Sequence, residues 1–154
     1  MKAAADTLEL DVSYAARRPW APRRAQFLRW AAAALGRAPR SAVLSIRIVG
    51  TARSRSLNER YRGKAHATNV LSFTGAGSLP DGREFLGELV ICAPVVAREA
   101  RAQSKTPDEH WAHMTVHGVL HLLGYDHERA AEARKMARIE IQILDRLGFS
   151  NPYA

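Results

Sequence analysis

The stretch "HGVLHLLGYDH", His117 to His127, decides how this chain is read. It gathers half of the six histidines and breaks their run with Gly124. His117 and His121 are four residues apart, so a helix of about 3.6 residues per turn carries both rings about 40° apart on one face. Gly124 suits the position just past a helix end, where a left-handed turn meets no steric cost. Upstream, "TPDE" supplies Thr106 as N-cap, Pro107 at the first helical position and Glu109 at the third, a capping box. The pattern predicts one helix from this cap to Gly124, and a reversal that brings His127 back over the first two histidines.

Three neutral imidazoles on one side of an ion leave a fourth position open, as in a catalytic zinc site. The spacing H-x3-H-x5-H, with glycine seven after the first histidine, matches the metzincin pattern of zinc proteases. A lone i, i+4 pair is more often packed or solvated, but three histidines with a well-placed turn glycine favour a metal. The expected ligands are His117, His121 and His127, holding one zinc or another divalent transition metal. His113 is also four from His117. It and His110 precede the turn, away from His127, and are read as neighbours or surface residues. Gly118 stands where the protease motif carries the glutamate that draws a proton from water. Glycine cannot do this. Glu88 is a conceivable replacement but fits better as part of a strand, which weighs against a peptidase.

Outward from this helix, strands and helices intersperse. "LELDVSY" (Leu8 to Tyr14) alternates apolar and polar residues and reads as a half-buried strand. Pro22 opens a helix carrying Phe27, Trp30, Ala31, Ala34 and Leu35, stopped by Gly36. "AVLSIRIV" (Ala42 to Val49) alternates again, with Ala42, Leu44, Ile46 and Ile48 on one face. A short helix is expected from about Ala52 to Tyr61, capped by Thr51. "NVLSF" (Asn69 to Phe73) reads as a strand running into a Gly-rich loop, and "FLGELVICA" (Phe85 to Ala93) as a strand covered on both faces. Pro94 opens a helix to about Gln103. A last helix covers roughly Glu128 to Leu147, with Met136, Ile139, Ile143 and Leu147 inward and Gly148 as its stop. These elements make the fold α+β. No repeat, linker or composition shift divides the chain, so residues 1–154 are read as a single domain.

Composition narrows the partners. The 154 residues carry 23 Lys and Arg against 15 Asp and Glu, a net charge of +8. No acid occurs between Val12 and Asn58, while Arg17, Arg18, Arg23, Arg24, Arg29, Arg37, Arg40, Arg47, Arg53 and Arg55 fall in that stretch. A one-signed surface attracts polyanions, so nucleic acid is a natural partner; codon bias toward Ala and Arg is the competing explanation. No apolar run is long enough for a bilayer, and "MKAAADTLELDV" has acids where a signal peptide needs its hydrophobic stretch. Cys92, the only cysteine, excludes an internal disulfide and reads as a small buried residue. The expected location is the cytoplasm.

Three stretches carry a family resemblance. "HGVLHLLGYDH", "LNERYRGKAHATNVLSF" (Leu57 to Phe73) and "FLGELVIC" resemble the YbeY family, bacterial metal-dependent endoribonucleases of ribosomal RNA maturation, and cover most of residues 57–127. The resemblance implies a small, mixed, mostly parallel four-stranded sheet flanked by helices, with a zincin-like metal helix. It implies zinc on His117, His121 and His127, and a role for Arg62 in cleaving single-stranded RNA near the 3′ end of small-subunit ribosomal RNA and in ribosome quality control. A guanidinium near a metal can grip a phosphate with two parallel hydrogen bonds and stabilise developing charge. Lys64 is read as positioning the RNA backbone. Asn69 and Ser72 either line the groove or cap strand ends. Asp126 either orients a ligand histidine or caps the last helix, and Tyr125 packs or lines the site. The chain departs from the family pattern at Ala65-His66-Ala67, where an acid, a polar or basic residue and a proline are more usual, and has Glu88 for a more usual aspartate. The expected partner is RNA of the small ribosomal subunit, with no DNA and no membrane; the oligomeric state stays open. A zinc metalloprotease and a noncatalytic ribosome-assembly factor with a structural metal are the competing readings.

Overall fold

Alternation of apolar residues along "AVLSIRIV" places a central strand, and the rest of the sheet forms around it. The computed structural model describes residues 8–16, 18–36, 41–126 and 128–154; Arg17, Arg37, Arg40 and His127 lie outside them. In chain order the elements are β1 (Leu8–Tyr14), α1 (Arg24–Leu35), β2 (Ala42–Val49), α2 (Thr51–Arg62), β3 (Val70–Ser78), β4 (Glu84–Cys92), α3 (Ala93–Ala102), α4 (Pro107–Leu122) and α5 (Ala130–Arg146). The four strands lie in the order β1-β2-β4-β3. β1 and β4 run parallel to β2, and β3 runs antiparallel to β4. The architecture is therefore the expected α+β fold with a mixed, mostly parallel sheet.

The two faces of this sheet are covered differently. Leu44, Ile46 and Ile48 of β2 are fully buried in the main core, which α1, α4 and α5 share with the sheet. Phe27, Trp30, Trp111 and Phe149 join these helices through edge-to-face contacts with ring centroids 5.8 to 6.4 Å apart. On the other face a smaller cluster of Val49, Leu71, Val90, Cys92 and Val95 packs with Leu57 of α2. Each such large apolar side chain removed from water contributes about 1.5–3 kcal/mol. β4 serves both clusters, Leu89 and Ile91 in one and Val90 and Cys92 in the other, as its unbroken apolar run implies. Cys92 is buried as a small apolar residue.

Several boundaries differ from the sequence reading: α1, for one, starts at Arg24 with Arg23 as N-cap, so Pro22 precedes the helix and does not open it. β3 does not stop at Phe73 but continues through the Gly-rich segment to Ser78. A Cβ on Gly75 would lie 2.3 Å from the Phe85 carbonyl oxygen, and one on Gly87 would lie 2.2 Å from that of Phe73. These glycines let β3 and β4 approach closely at an irregularity between Thr74 and Gly77, a use of glycine inside strands. α2 starts at Thr51 itself, with Gly50 as N-cap and no side-chain cap bond. α5 starts at Ala130 rather than Glu128, with Arg129 as N-cap. The capping box of α4 forms as its sequence predicts: Glu109 N–H donates to Thr106 Oγ1 at 3.2 Å and Thr106 N–H to Glu109 Oε1 at 2.8 Å. Among the described residues no helix is long and apolar enough to cross a membrane.

Candidate functional site

α4 is buried along nearly its whole length, and His117 and His121 are its half-buried exceptions within that run. Their rings are 4.7 Å apart between centroids, as the i, i+4 spacing on one helical face requires. Both line a groove of about 1000 Å³ whose other wall is built by the end of α2, the following loop and β3. The chain turns after α4 at Gly124, which takes φ +100°. His127, the third expected ligand, lies outside the described residues.

The other sequence-derived candidates converge on the same groove. Arg62, Lys64, Asn69 and Ser72 all line it with His117 and His121. Arg62 ends α2 and is exposed; Gly63 follows in the left-handed region at φ +69° and turns the chain toward Lys64. The side chains of Asn69 and Ser72 are used within the wall. Asn69 Nδ2 donates to both carboxylate oxygens of Glu99, at 3.1 and 3.3 Å, and its Oδ1 accepts from Val70 N–H. Ser72 Oγ donates to the Gly118 carbonyl at 3.1 Å and so ties β3 to the histidine helix.

The loop containing Ala65-His66-Ala67 is held from beneath. Ser54 Oγ donates to the Thr68 carbonyl and accepts from Thr68 N–H, both at 3.0 Å, and Asn58 Nδ2 donates to the His66 carbonyl at 2.8 Å. Ser54 and Asn58 are the two buried residues of α2. These bonds tie the backbone at His66 and Thr68 to α2 without using the side chains at 65–67. Glu88 is paired with Arg47 at 2.7 Å across the sheet. Asp126 lines the groove and accepts from Glu128 N–H at 3.2 Å; it is not the cap of α5, which begins four residues later. Tyr125 packs against the main core.

Sequence reasoning missed the polar network behind His117. Glu140 of α5 is fully buried. His117 Nδ1–H donates to its Oε2, while Oε1 accepts from Tyr153 O–H and, at 3.3 Å, from His113 Nε2–H. Burial opposes ionisation of this carboxyl, but the hydrogen bonds of His113 and His117, the charge of His117 and the Tyr153 hydroxyl outweigh it and bring it down to about 2. Burial pushes His113 below its ordinary range, and burial with the adjacent carboxylate pushes the Tyr153 hydroxyl up. His110 and His113 are not surface residues: both are buried, His110 bonded through Nε2 to Glu99 at 2.8 Å. His113, His117 and Glu140 form a candidate metal-binding group, with one ligand atom of each within 4.8 Å of the others. The sequence did hold a signal. Glu140 stands four after Met136 and three before Ile143, inside the inward stripe of α5. Tyr61, exposed at the groove and edge-on to Phe73 at 5.2 Å, was also missed.

Comparison with known proteins gives one consistent result. Residues 19–148 match the family model described as Endoribonuclease YbeY. The chain is 53% identical over 151 residues to Endoribonuclease YbeY of Stenotrophomonas maltophilia strain K279a, covering 96% of this chain and 94% of that one. It is 51% identical, with the same coverage, to Endoribonuclease YbeY of Xanthomonas campestris pv. campestris strain B100. The solution structure of TM1509 from Thermotoga maritima shares the fold, with a TM-score of 0.52 and 19% identity over 90% of this chain and 91% of that one.

Proposed function

Because the chain belongs to the YbeY family of endoribonucleases, we propose that it cuts single-stranded RNA with the help of a zinc or similar divalent ion, acting in the cytoplasm on small-subunit ribosomal RNA and in ribosome quality control. The observation that supports this reading is the groove in which Arg62 and Lys64 face the His117 and His121 helix.

The donor set suits such an ion. Two imidazoles four apart on one helix line the groove together, and imidazole is a preferred ligand of zinc and related divalent metals. With Nδ1 of His117 bonded to Glu140, Nε2 is the nitrogen it can offer, beside His121 and with His127 as the third ligand. When bound, the ion supplies Lewis-acid chemistry, polarising a phosphoryl oxygen or acidifying water. Arg62 grips the phosphate and offsets the charge that builds on it as the bond breaks. Lys64 adds a mobile point charge on the backbone. Tyr61 presents an aromatic face on which an unstacked base can rest, which favours single strands over duplex. Asn69 and Ser72 keep the wall in place through Glu99 and the Gly118 carbonyl. The nucleophile is water or the RNA 2′-hydroxyl.

A peptidase needs a base after its first histidine. Gly118 instead packs against Leu89 and Val70 of the sheet, so a side chain there would enter the core rather than the groove. The test is to incubate purified, metal-quantified protein with unstructured RNA, duplex RNA and casein, with and without a chelator. Chelator-sensitive cleavage of the unstructured RNA is expected, with casein intact. Casein digestion, or RNA cleavage indifferent to the chelator, removes the reading.

A further inference from the structure

A fully buried carboxylate between two helices is an expensive way to join them, since its ion loses all hydration. Met136 and Ile143, one turn to either side of Glu140 on α5, already bind that helix to the core. What Glu140 adds is direction. On α4, His113, His117 and His121 follow one another at i, i+4 spacing, with ring centroids 6.2 and 4.7 Å apart. His117 is the middle ring. Its Nδ1 edge meets Glu140, and the ring also lines the groove beside His121. Both oxygens of Glu140 are occupied by donors from three different places: His117 Nδ1–H on Oε2, and Tyr153 O–H and His113 Nε2–H on Oε1. Tyr153 comes from the segment after α5, which Lys105 Nζ holds by donating to the Pro152 carbonyl at 3.0 Å.

We propose that Glu140 is a positioning residue for His117: clamped by Tyr153 and His113, its carboxylate fixes the His117 ring as the Nδ1–H tautomer and turns Nε2 toward the ion held with His121. This rests on the proposed role of His117 and His121 as ligands. It also decides between two roles open to the group of His113, His117 and Glu140. An ion held there would have to displace three hydrogen bonds that already satisfy the carboxylate. Glu140 supports a ligand and is not one itself. Such a carboxylate behind a ligating imidazole sets its tautomer and raises its basicity, and losing it costs about 10- to 100-fold in metal affinity.

The test uses the full chain and zinc itself, titrated in competition with a coloured chelator. His121→Ala should abolish tight binding; if it keeps the parent affinity, the ligand assignment fails, whatever Glu140 does. Glu140→Ala should still bind one zinc at saturation but about 10- to 100-fold more weakly. Glu140→Gln, whose amide oxygen still accepts from Nδ1–H, should recover part of that loss. With cobalt replacing zinc at saturation, parent and Glu140→Gln should show the same visible bands. Nitrogen NMR of the metal-free parent, at a pH where the ring is neutral, should find the His117 proton on Nδ1. Unchanged affinity in Glu140→Ala, altered cobalt bands in Glu140→Gln, or a proton on Nε2 each overturns the proposal.

Discussion

A Cβ at Gly118 would lie 2.8 Å from Cδ2 of Leu89. The glycine between the two groove histidines is there because the histidine helix sits directly on the sheet, not because a catalytic base has been lost. The next nearest atoms are Leu89 Cδ1 at 3.1 Å and Val70 Cγ2 at 3.3 Å, side-chain ends of buried residues that would have to shift. Gly118→Ala should therefore be net destabilising by at most about 2 kcal/mol, overpacking of about 1–3 kcal/mol being offset by the roughly 1 kcal/mol of helix propensity that alanine adds. Gly118→Glu should cost several kcal/mol more, for it forces a carboxylate into apolar surroundings. Urea unfolding measures both. A Gly118→Glu protein as stable as its parent would show that the helix can lift off the sheet.

Arg62 is exposed at the end of α2 and lines the groove, so its removal should leave the fold untouched. Arg62→Ala is expected to lose about a hundredfold in RNA cleavage, on the order of 3 kcal/mol of transition-state stabilisation. Arg62→Lys should recover little, because an ammonium cannot reproduce the planar fork. Single-turnover cleavage with metal content matched between variants is the measurement, and parent-like rates in Arg62→Ala remove the residue from the reaction.

RNA affinity should fall steeply with salt. Arg53, Arg55, Arg60 and Arg62 are all exposed on α2, and each phosphate contact on a single strand contributes about 0.7 to the slope of log affinity against log salt. Arg60→Ala should lower that slope by about one such step. A flat salt response in fluorescence titrations would assign the arginine richness to codon usage instead of to RNA.

Acid should unfold the metal-free protein in two stages. Burial holds His113 below its ordinary 6.5, so the unfolded chain takes up that proton first, and stability present above 6.5 starts to fall below it. Glu140 moves from 4.5 to about 2 on folding. Its contribution is complete above 4.5 and lost as pH falls toward 2, a change of ~3 kcal/mol. Glu140→Gln should lack this second stage while keeping the first. Urea midpoints measured from pH 8 to pH 3 would expose the opposite case, a variant whose acid limb matches the parent's.

Much of this molecule is legible in its sequence because local chemistry and tertiary packing agree. Thr106, Pro107 and Glu109 start α4 where their side chains dictate, and the alternation of β2 places its core face without ambiguity. The spacing of His117 and His121 fixes their shared side of a helix in any context. Legibility stops where a distant backbone sets the rule. Gly75 and Gly77 suggest a loop when read alone, yet both are strand residues: Phe85 and Gly87 of the partner strand leave Gly75 no space for a side chain, and Gly77 takes a φ of +90°. Thr51 has the chemistry of a cap, but the helix begins one residue earlier than that reading allows. Glu140 is hardest: its charge argues for water, and only the joint presence of His113, His117 and Tyr153 makes burial tolerable.

The order β1-β2-β4-β3 leaves two strand edges, and an uncovered edge invites a strand from a second molecule and so aggregation. On β1 the guanidinium of Arg24 occupies the Leu10 carbonyl through Nε and Nη2 at 3.1 and 3.0 Å, with Glu9 and Asp11 exposed beside it. On β3 the glycine irregularity between Thr74 and Gly77 interrupts the regular register with β4, a device that makes the far part of an edge a poorer template. That edge runs along the groove from Val70 to Thr74. The two protective features thus fall on β1 and on the part of β3 beyond Thr74, and leave the Val70–Thr74 edge to form the wall of the cleft.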